Sequence, residues 1–288
     1  MGAFPEWRVL TGCLALLACS LASPLMAQDS EEFQYLIPAI ASEKPSAKEA
    51  AAITAAICDG KADDDHCDSC PGGSSLPGIG FSLGRVTFGH FVGADSEDAF
   101  VTVSGCEEKH ASIGWGFLVT RRAGTWKSLE EVLGLVLDNC HGMRFRSGRQ
   151  LLVCEDYLMD QFNLMHNVTA VFAKGESIGF RHLLTATDTT RMCSEQPRPQ
   201  KAQIDKIEFR DLNGDGIEDV AFTVSFGTLA DSERRQQLCQ DAQDDKPGVR
   251  RPQPKVMKSY RIEYLFDGLR FTLTKASQAA AKLFEWEN

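Results

Sequence analysis

From Gly84 onward the chain is a succession of short runs rich in β-branched and aromatic residues, separated by turn residues. Runs of this kind at regular spacing are typical of an all-β architecture. One four-strand phrase recurs three times: the first copy runs from RVTFGHF to TWKSL, the second from GMRFR to IGFRHLLT, and the third from IDKIEF to LRFTLT. The sequence therefore predicts a mostly β fold of three four-stranded, blade-like repeats, arranged as a partial propeller or an open β-meander.

Helices are predicted outside the repeats. Ser46 and Glu49 form a capping box, in which each side chain can satisfy a backbone N–H of the other residue. Ile53 and Ile57 follow at helical spacing. Short additional helices are predicted in the insert 230–245 and in the C-terminal tail, while residues 129–137 fit helical spacing as well as strand alternation.

The composition divides the chain into three parts. Residues 1–27 form a signal peptide; residues 28–80 form an N-terminal arm, a helix and a Cys-rich acidic loop; residues 81–288 form the β-repeat domain. The signal peptide is indicated by an uncharged, mostly apolar run that ends at Ala27, the expected cleavage site. Two alternatives are lipoprotein processing at the lipobox-like LLAC, which would leave a lipid anchor on Cys19, and an uncleaved anchor.

The mature chain is expected to have no transmembrane helix, because no later stretch reaches the roughly 18 uninterrupted apolar residues that one needs. We therefore predict a protein that is secreted or resides in the periplasm or cell envelope.

The sharpest motif is DLNGDGIED at residues 211–219. Side-chain oxygens at positions 1, 3, 5 and 9, with glycine at position 6 for a sharp turn, suit a loop that wraps a hard cation such as Ca²⁺. An EF-hand would need Glu at position 12, where Phe222 stands, and the flanking segments are predicted strands. The predicted ligands of this structural Ca²⁺ are Asp211, Asn213, Asp215, the carbonyl of Ile217, and Asp219. The alternative is a tight turn without an ion, since Asp, Asn and Gly are turn formers.

The stretch IEFRDLNGDGIEDVAFTVSFG, about 20 residues long, resembles one FG-GAP or VCBS-type repeat, the calcium-loop blade of integrin-like β-propellers. The resemblance implies a propeller-like blade with a calcium loop. It extends to the other copies only in degenerate form. The first copy keeps Asp98 where the third has Asp219, whereas the turn from Arg146 to Arg149 in the second copy has no carboxylate.

Of ten cysteines, Cys13 and Cys19 lie in the leader, which leaves eight in the mature chain. An even number in an exported protein predicts disulfides. In each repeat one cysteine precedes the first strand and another follows the second. If the copies share a fold, the pairs are Cys70 with Cys106, Cys140 with Cys154 and Cys193 with Cys239, which leaves Cys58 for Cys67, although Cys67 and Cys70 could exchange roles.

The net charge of -10 argues against a nucleic-acid partner, because phosphate binding needs a Lys/Arg surface. No nucleophile motif is present, and adjacent acids such as Glu155 and Asp156 are expected at solvated edges, since neighbours on a strand point to opposite faces. The predicted function is noncatalytic: a secreted, calcium-stabilised binding or adhesion protein with an envelope or extracellular partner, a glycan or a protein. The alternative is an exported hydrolase with its site in the loops of the β repeats.

Overall fold

The computed structural model describes residues 35–38, 44–70, 80–106, 114–137, 139–160, 163–190, 200–229, 236–237, 239–241, 244 and 253–284. The predicted signal peptide and Cys193 lie outside these residues. The described chain is mostly β-strand, as the sequence predicts, and its strands form two antiparallel sheets.

The first sheet contains six strands in chain order, each antiparallel to the next. They are β1 (Ala62–Asp63), β2 (His66–Cys67), β3 (Phe81–Gly89), β4 (Glu97–Ser104), β5 (Trp115–Arg122) and β6 (Thr125–Leu133). The segment 129–137, which the sequence left open between helix and strand, is therefore strand as far as Leu133.

The second sheet contains eight strands, also in sequential antiparallel order, and is curled into a half-barrel. They are β7 (Asn139–Arg144), β8 (Gln150–Asp160), β9 (Asn163–Lys174), β10 (Ser177–Asp188), β11 (Gln200–Arg210), β12 (Asp219–Thr228), β13 (Lys258–Phe266) and β14 (Phe271–Leu273). The strands predicted for the second and third repeats thus share one sheet. Their junction is narrow, because β10 and β11 are in register only at Asp188 and Lys201.

Helix α1 (Ala47–Ile57) begins where it is predicted, with the Ser46 hydroxyl accepting a hydrogen bond from the Glu49 N–H at 3.3 Å. Its buried residues Ile53 and Ile57 pack against one face of the first sheet. A second short helix, α2 (Gln278–Ala281), lies in the predicted C-terminal helical segment, and the described residues 236, 237 and 239–241 of the insert are helical.

The central strands β4 and β5 of the first sheet are buried on both faces, which explains their almost continuous apolar runs. On β4, Val101 faces α1 while its neighbour Phe100 faces the second sheet, and both side chains are 0% exposed. Strand β8 has the same two-faced character: Leu152 packs toward the first sheet, whereas Leu151 points into the half-barrel. Because successive side chains of a strand alternate between faces, these strands hold the layers together.

Three disulfides join Cys58 to Cys67, Cys70 to Cys106 and Cys140 to Cys154, the pairs that the repeat alignment predicts. The first ties the end of α1 to β2, and the third joins directly opposed residues of β7 and β8. Cys239 is also disulfide-bonded, while its predicted partner Cys193 lies outside the described residues. Three disulfides suggest an oxidising, extracellular or periplasmic setting.

Replacing Cys140 and Cys154 together with alanine should lower the free energy of unfolding by about 3 kcal/mol, because their bridge closes a short loop in the unfolded chain. Urea unfolding of the oxidised protein measures this loss. Non-reducing peptide mapping serves as the control: it should recover this bridge and also a Cys193 to Cys239 link, and a Cys140 to Cys193 peptide would contradict the pairing.

Candidate metal centre

The predicted calcium loop closes the hairpin between β11 and β12. Arg210 and Asp219 are paired in the strand register, so residues 211–218 form the turn that connects them. Gly214 and Gly216 both have a φ of +80°, and an added Cβ would meet nothing within 4 Å at either position. The backbone conformation, rather than lack of space, therefore requires glycine at both.

The backbone of the loop folds around the Asp211 carboxylate. Its Oδ1 accepts hydrogen bonds from the N–H of Gly214 at 2.6 Å and of Asp215 at 3.2 Å, and its Oδ2 accepts one from Gly216 at 2.8 Å. These bonds, led by that from Gly216, hold the pKa of Asp211 below its ordinary value. The first predicted ligand is thus an ionised, exposed carboxylate at the centre of the turn.

Asn213 and Asp215 turn toward the same backbone segment. Asn213 Oδ1 accepts a hydrogen bond from the Asp215 N–H at 2.9 Å, and Asp215 Oδ1 accepts one from Ile217 at 2.9 Å. The side chains also touch each other, since Asn213 Nδ2 donates to Asp215 Oδ2 at 3.3 Å. The side-chain oxygens of Asp211 and Asn213 share the Asp215 N–H, so the loop brings predicted ligands 1, 3 and 5 together.

Asp219 has a different environment, because its side chain lies below the loop and is 0% exposed. Its Oδ2 accepts a hydrogen bond from the Leu212 N–H at 2.8 Å, and its Oδ1 accepts one from the Phe266 N–H at 2.7 Å. The carboxylate therefore joins the beginning of the loop to the end of β13. One of its oxygens is thus held from within the turn and the other from a neighbouring strand.

Asp98 has the same role in the first sheet as Asp219 has in the second. It is 1% exposed, and its Oδ2 accepts hydrogen bonds from the Val92 N–H at 2.7 Å and from the Ser96 hydroxyl. Its Oδ1 accepts the Thr120 hydroxyl of the next strand at 2.7 Å. Each carboxylate thus fixes the loop before its strand and also reaches the strand that follows, as the alignment of the two repeats implies.

The predicted ligand atoms of the 211–219 loop are of the kind that a hard cation prefers. All the predicted ligand atoms are oxygens, three residues are carboxylates, and each carboxylate has lone pairs beyond its present hydrogen bonds. The geometry is that of a hydrogen-bonded turn, and among the described residues no group of three or more His, Cys, Asp or Glu side chains is arranged to hold a metal. Ion binding would require part of the N–H···O network to be exchanged for Ca²⁺ contacts.

Two basic side chains that are not among the predicted site residues border this loop. His141 on β7 places Nε2 2.9 Å from Oε2 of Glu218 and stacks on Phe209 with ring centroids 3.9 Å apart. Arg146 lies with its guanidinium 3.9 Å from Asp215 Oδ2. No local pattern marks these contacts, because they depend on the half-barrel bringing β7 beside β11.

The expectation that Glu155 lies at a solvated edge is wrong. Its side chain is 0% exposed, and its oxygens contact the Ile37 N–H at 2.6 Å and His166 Nε2 at 2.9 Å. Tyr157 stacks on His166 at 4.1 Å, and burial, followed by the charge of Glu155, raises the pKa of Tyr157 to about 12. Ile37 belongs to the predicted N-terminal arm. Its N–H group donates a hydrogen bond to the Glu155 carboxylate and so offsets part of the free-energy cost of burying it.

Comparison of the chain with protein-family models, with curated proteins and with solved structures gave no match. Among the described residues, no helix is both long enough and apolar enough to cross a membrane.

Replacing Asp219 with alanine should lower the free energy of unfolding by at least about 3 kcal/mol, because the Leu212 and Phe266 N–H groups would lose a charged acceptor. Asp98→Ala should have an effect of similar size. Chemical denaturation measures both. The matched control is Asp205→Ala, which removes an exposed carboxylate whose partner among the described residues is the Ser225 hydroxyl and should change stability by no more than about 0.5 kcal/mol. An Asp219→Ala loss as small as that of the control would contradict the anchoring role.

Proposed function

We propose that this chain is a secreted, noncatalytic binding or adhesion protein whose β domain is stabilised by Ca²⁺ in the 211–219 loop. The observation that carries the proposal is the convergence of the Asp211, Asn213 and Asp215 oxygens on one glycine-dependent turn at the end of a hairpin. Bound Ca²⁺ would supply charge neutralisation and rigidity at this turn. Its expected partner is a glycan or a protein of the envelope or the extracellular space.

We also propose that the domain is an open relative of the propeller suggested by the FG-GAP/VCBS resemblance. The common anchoring role of Asp98 and Asp219 supports a repeat, and so do cores on both faces of β4 and β8. The charged outer face of strands β11 and β13 supports a domain that does not close into a ring of blades. There Arg261 bonds Glu208 and Glu263 at 2.7 Å each, and the bonds from Arg261 and then Lys206 lower the pKa of Glu208 to about 2. Such a face is suited to solvent rather than to another apolar blade.

Export is proposed from the apolar leader together with the oxidised cysteines. The three described disulfides are consistent with folding outside the reducing cytosol. The choice between a free, processed chain and a lipid anchor on Cys19 belongs to the leader, which lies outside the described residues.

One observation favours the alternative of an exported hydrolase. The partly exposed pair of His141 and Glu218 lies beside the loop, and Glu218 lines a cleft of about 480 Å³. A histidine joined to a carboxylate is a common acid–base arrangement. The binding role is preferred because the described contacts of this pair, stacking on Phe209 and pairing across strands, also have a structural explanation.

Calcium at about 1 mM should raise the free energy of unfolding by about 0.4–1.4 kcal/mol, given the 0.1–1 mM affinity of extracellular sites. Thermal melting in calcium and in chelator measures this difference, and Asp215→Ala should abolish it. Asp267→Ala is the matched control, because Asp267 forms a similar turn outside the loop by accepting hydrogen bonds from Leu269 and Arg270; it should keep the calcium response. Identical wild-type melting curves in both buffers would exclude a stabilising ion.

The binding role itself is tested by a pull-down from envelope extract. The mature wild-type protein should retain a glycan or protein partner in calcium, and less of it in chelator if the ion rigidifies the binding surface. Asp205→Ala, which removes an exposed carboxylate outside both the 211–219 loop and the cavity beside the β13–β14 turn, should behave as wild type. Hydrolysis of chromogenic ester or glycoside substrates that is lost in His141→Ala would instead support the enzyme.

The exported protein should begin at Gln28, because the apolar run ends at Ala27. Intact-mass measurement of protein recovered from outside the cytoplasm determines the first residue. A diacylglyceryl group on Cys19 would replace simple cleavage with a lipid anchor.

A further inference from the structure

A cavity of about 250 Å³ opens at one end of the half-barrel, between β10 and the turn that joins β13 to β14. Its walls include the rings of Phe145, Phe172, Phe266 and Phe271. The rings support one another: Phe145 meets Phe266 edge-on at 5.5 Å, and Phe266 stacks on Phe271 at 4.6 Å. Phe266 is 0% exposed and Phe145 and Phe271 are each 8% exposed, so these three rings belong to the core, whereas Phe180 and Leu269, which also line the cavity, are 44% and 71% exposed.

A glycine on β10 leaves room for the Phe172 ring, which is one wall of the cavity. Gly179 lies opposite Phe172 in the strand register, and a Cβ added to it would come within 2.5 Å of the Phe172 ring. The absence of a side chain at Gly179 therefore allows that ring to lie against β10. Any larger residue at this position would push the ring away from the strand.

The rim of the cavity is positively charged, although the chain as a whole has a net charge of -10. Arg181 and Arg270 both line the cavity. Arg270 is paired with Asp267 at 3.6 Å on the open surface, whereas Arg181 has no acidic partner within the described part of the chain. Arg149 adds a third guanidinium nearby, 5.1 Å from the centre of the Phe145 ring.

We propose that this cavity binds an apolar carboxylate, with an aromatic or branched aliphatic group among the phenylalanine rings and the carboxylate at Arg181 and Arg270. Apolar walls with a few convergent polar groups are typical of small-ligand sites, which occur in the mouths of barrels. The planar guanidinium matches a carboxylate in geometry and charge. The small volume suits one side-chain-sized group, which can belong to a free organic acid or to the C-terminal residue of a polypeptide.

This inference rests on the proposed binding role and specifies its ligand chemistry. No residue of the 211–219 loop is among those lining the cavity, although Asp219 accepts a hydrogen bond from the N–H of Phe266, which does line it. Measuring ligand binding in chelator and in calcium separates this proposal from the calcium proposal. If the protein shows no calcium-dependent change in melting but still binds the ligand, only the metal-site proposal fails.

The test is a calorimetric titration of the exported protein with 3-phenylpropanoate and with its neutral analogue 3-phenylpropanamide. A ligand of this size should bind with a Kd on the order of 0.1–1 mM. The acid should bind about tenfold more tightly than the amide, because the amide cannot form the charged hydrogen bonds. Equal affinities, or no saturable binding of the acid, would overturn the proposal.

Two variants identify the parts of the site. Arg181→Gln should weaken binding of the acid about tenfold and leave that of the amide nearly unchanged, while Arg210→Gln, an exposed arginine outside the cavity, should change neither. Gly179→Ala should weaken both ligands by moving the Phe172 ring, with thermal melting as its folding control. Unchanged affinity for the acid in Arg181→Gln would reject the carboxylate contact.

Peptides ending in phenylalanine distinguish the two sources of the ligand. A short peptide with a free C-terminal carboxylate that binds more tightly than 3-phenylpropanoate assigns the cavity to a polypeptide end. A peptide that binds more weakly than the free acid assigns it to a small molecule. In both cases amidation of the peptide's C-terminus should remove the preference for a charged end.

Discussion

The buried carboxylate of Asp219 connects the two regions to which we assign function. One oxygen accepts a hydrogen bond from the Leu212 N–H, where the proposed calcium loop begins, and the other accepts one from the N–H of Phe266, a residue in the wall of the aromatic cavity. A charge at 0% exposure is costly without such donors. The cost of burying it is offset because two backbone N–H groups, one in the loop after β11 and one at the end of β13, donate hydrogen bonds to it. Asp219, the first residue of β12, therefore fixes the positions of both the loop and the cavity wall.

Several parts of the fold could be predicted because they depend on local patterns. The strand character of β4 and β8 and the helix that starts after Ser46 follow from residue types and their spacing. The bridge from Cys140 to Cys154 is predicted by the alignment of the repeats and is confirmed. Correspondence of Asp98 with Asp219 could also be inferred, since both precede an apolar strand after a turn. The predicted turn at 211–219 is present, while its affinity for an ion stays a prediction.

Other parts could not be predicted, because distant segments create them. Glu155 appears on an exposed strand edge until Ile37, 118 residues earlier, covers it. His141 meets Glu218 only because the sheet curls. Nothing in the local sequence distinguishes a four-stranded blade from half of a larger sheet. Whether the second and third repeats share a sheet depends on the few hydrogen bonds between β10 and β11. The cavity is likewise assembled from three hairpins that are far apart in the sequence, β7–β8, β9–β10 and β13–β14.

The narrow junction between β10 and β11 has a consequence for the motions of the domain. Beyond the pair Asp188 and Lys201, and the bonds between Thr189 and Gln200 next to it, β10 and β11 are hydrogen-bonded to their other neighbours and not to each other. The two halves of the half-barrel are therefore joined there by side-chain packing more than by a backbone ladder. Local opening of the sheet would therefore break the fewest backbone hydrogen bonds along this line, while each half would keep its own strand pairing.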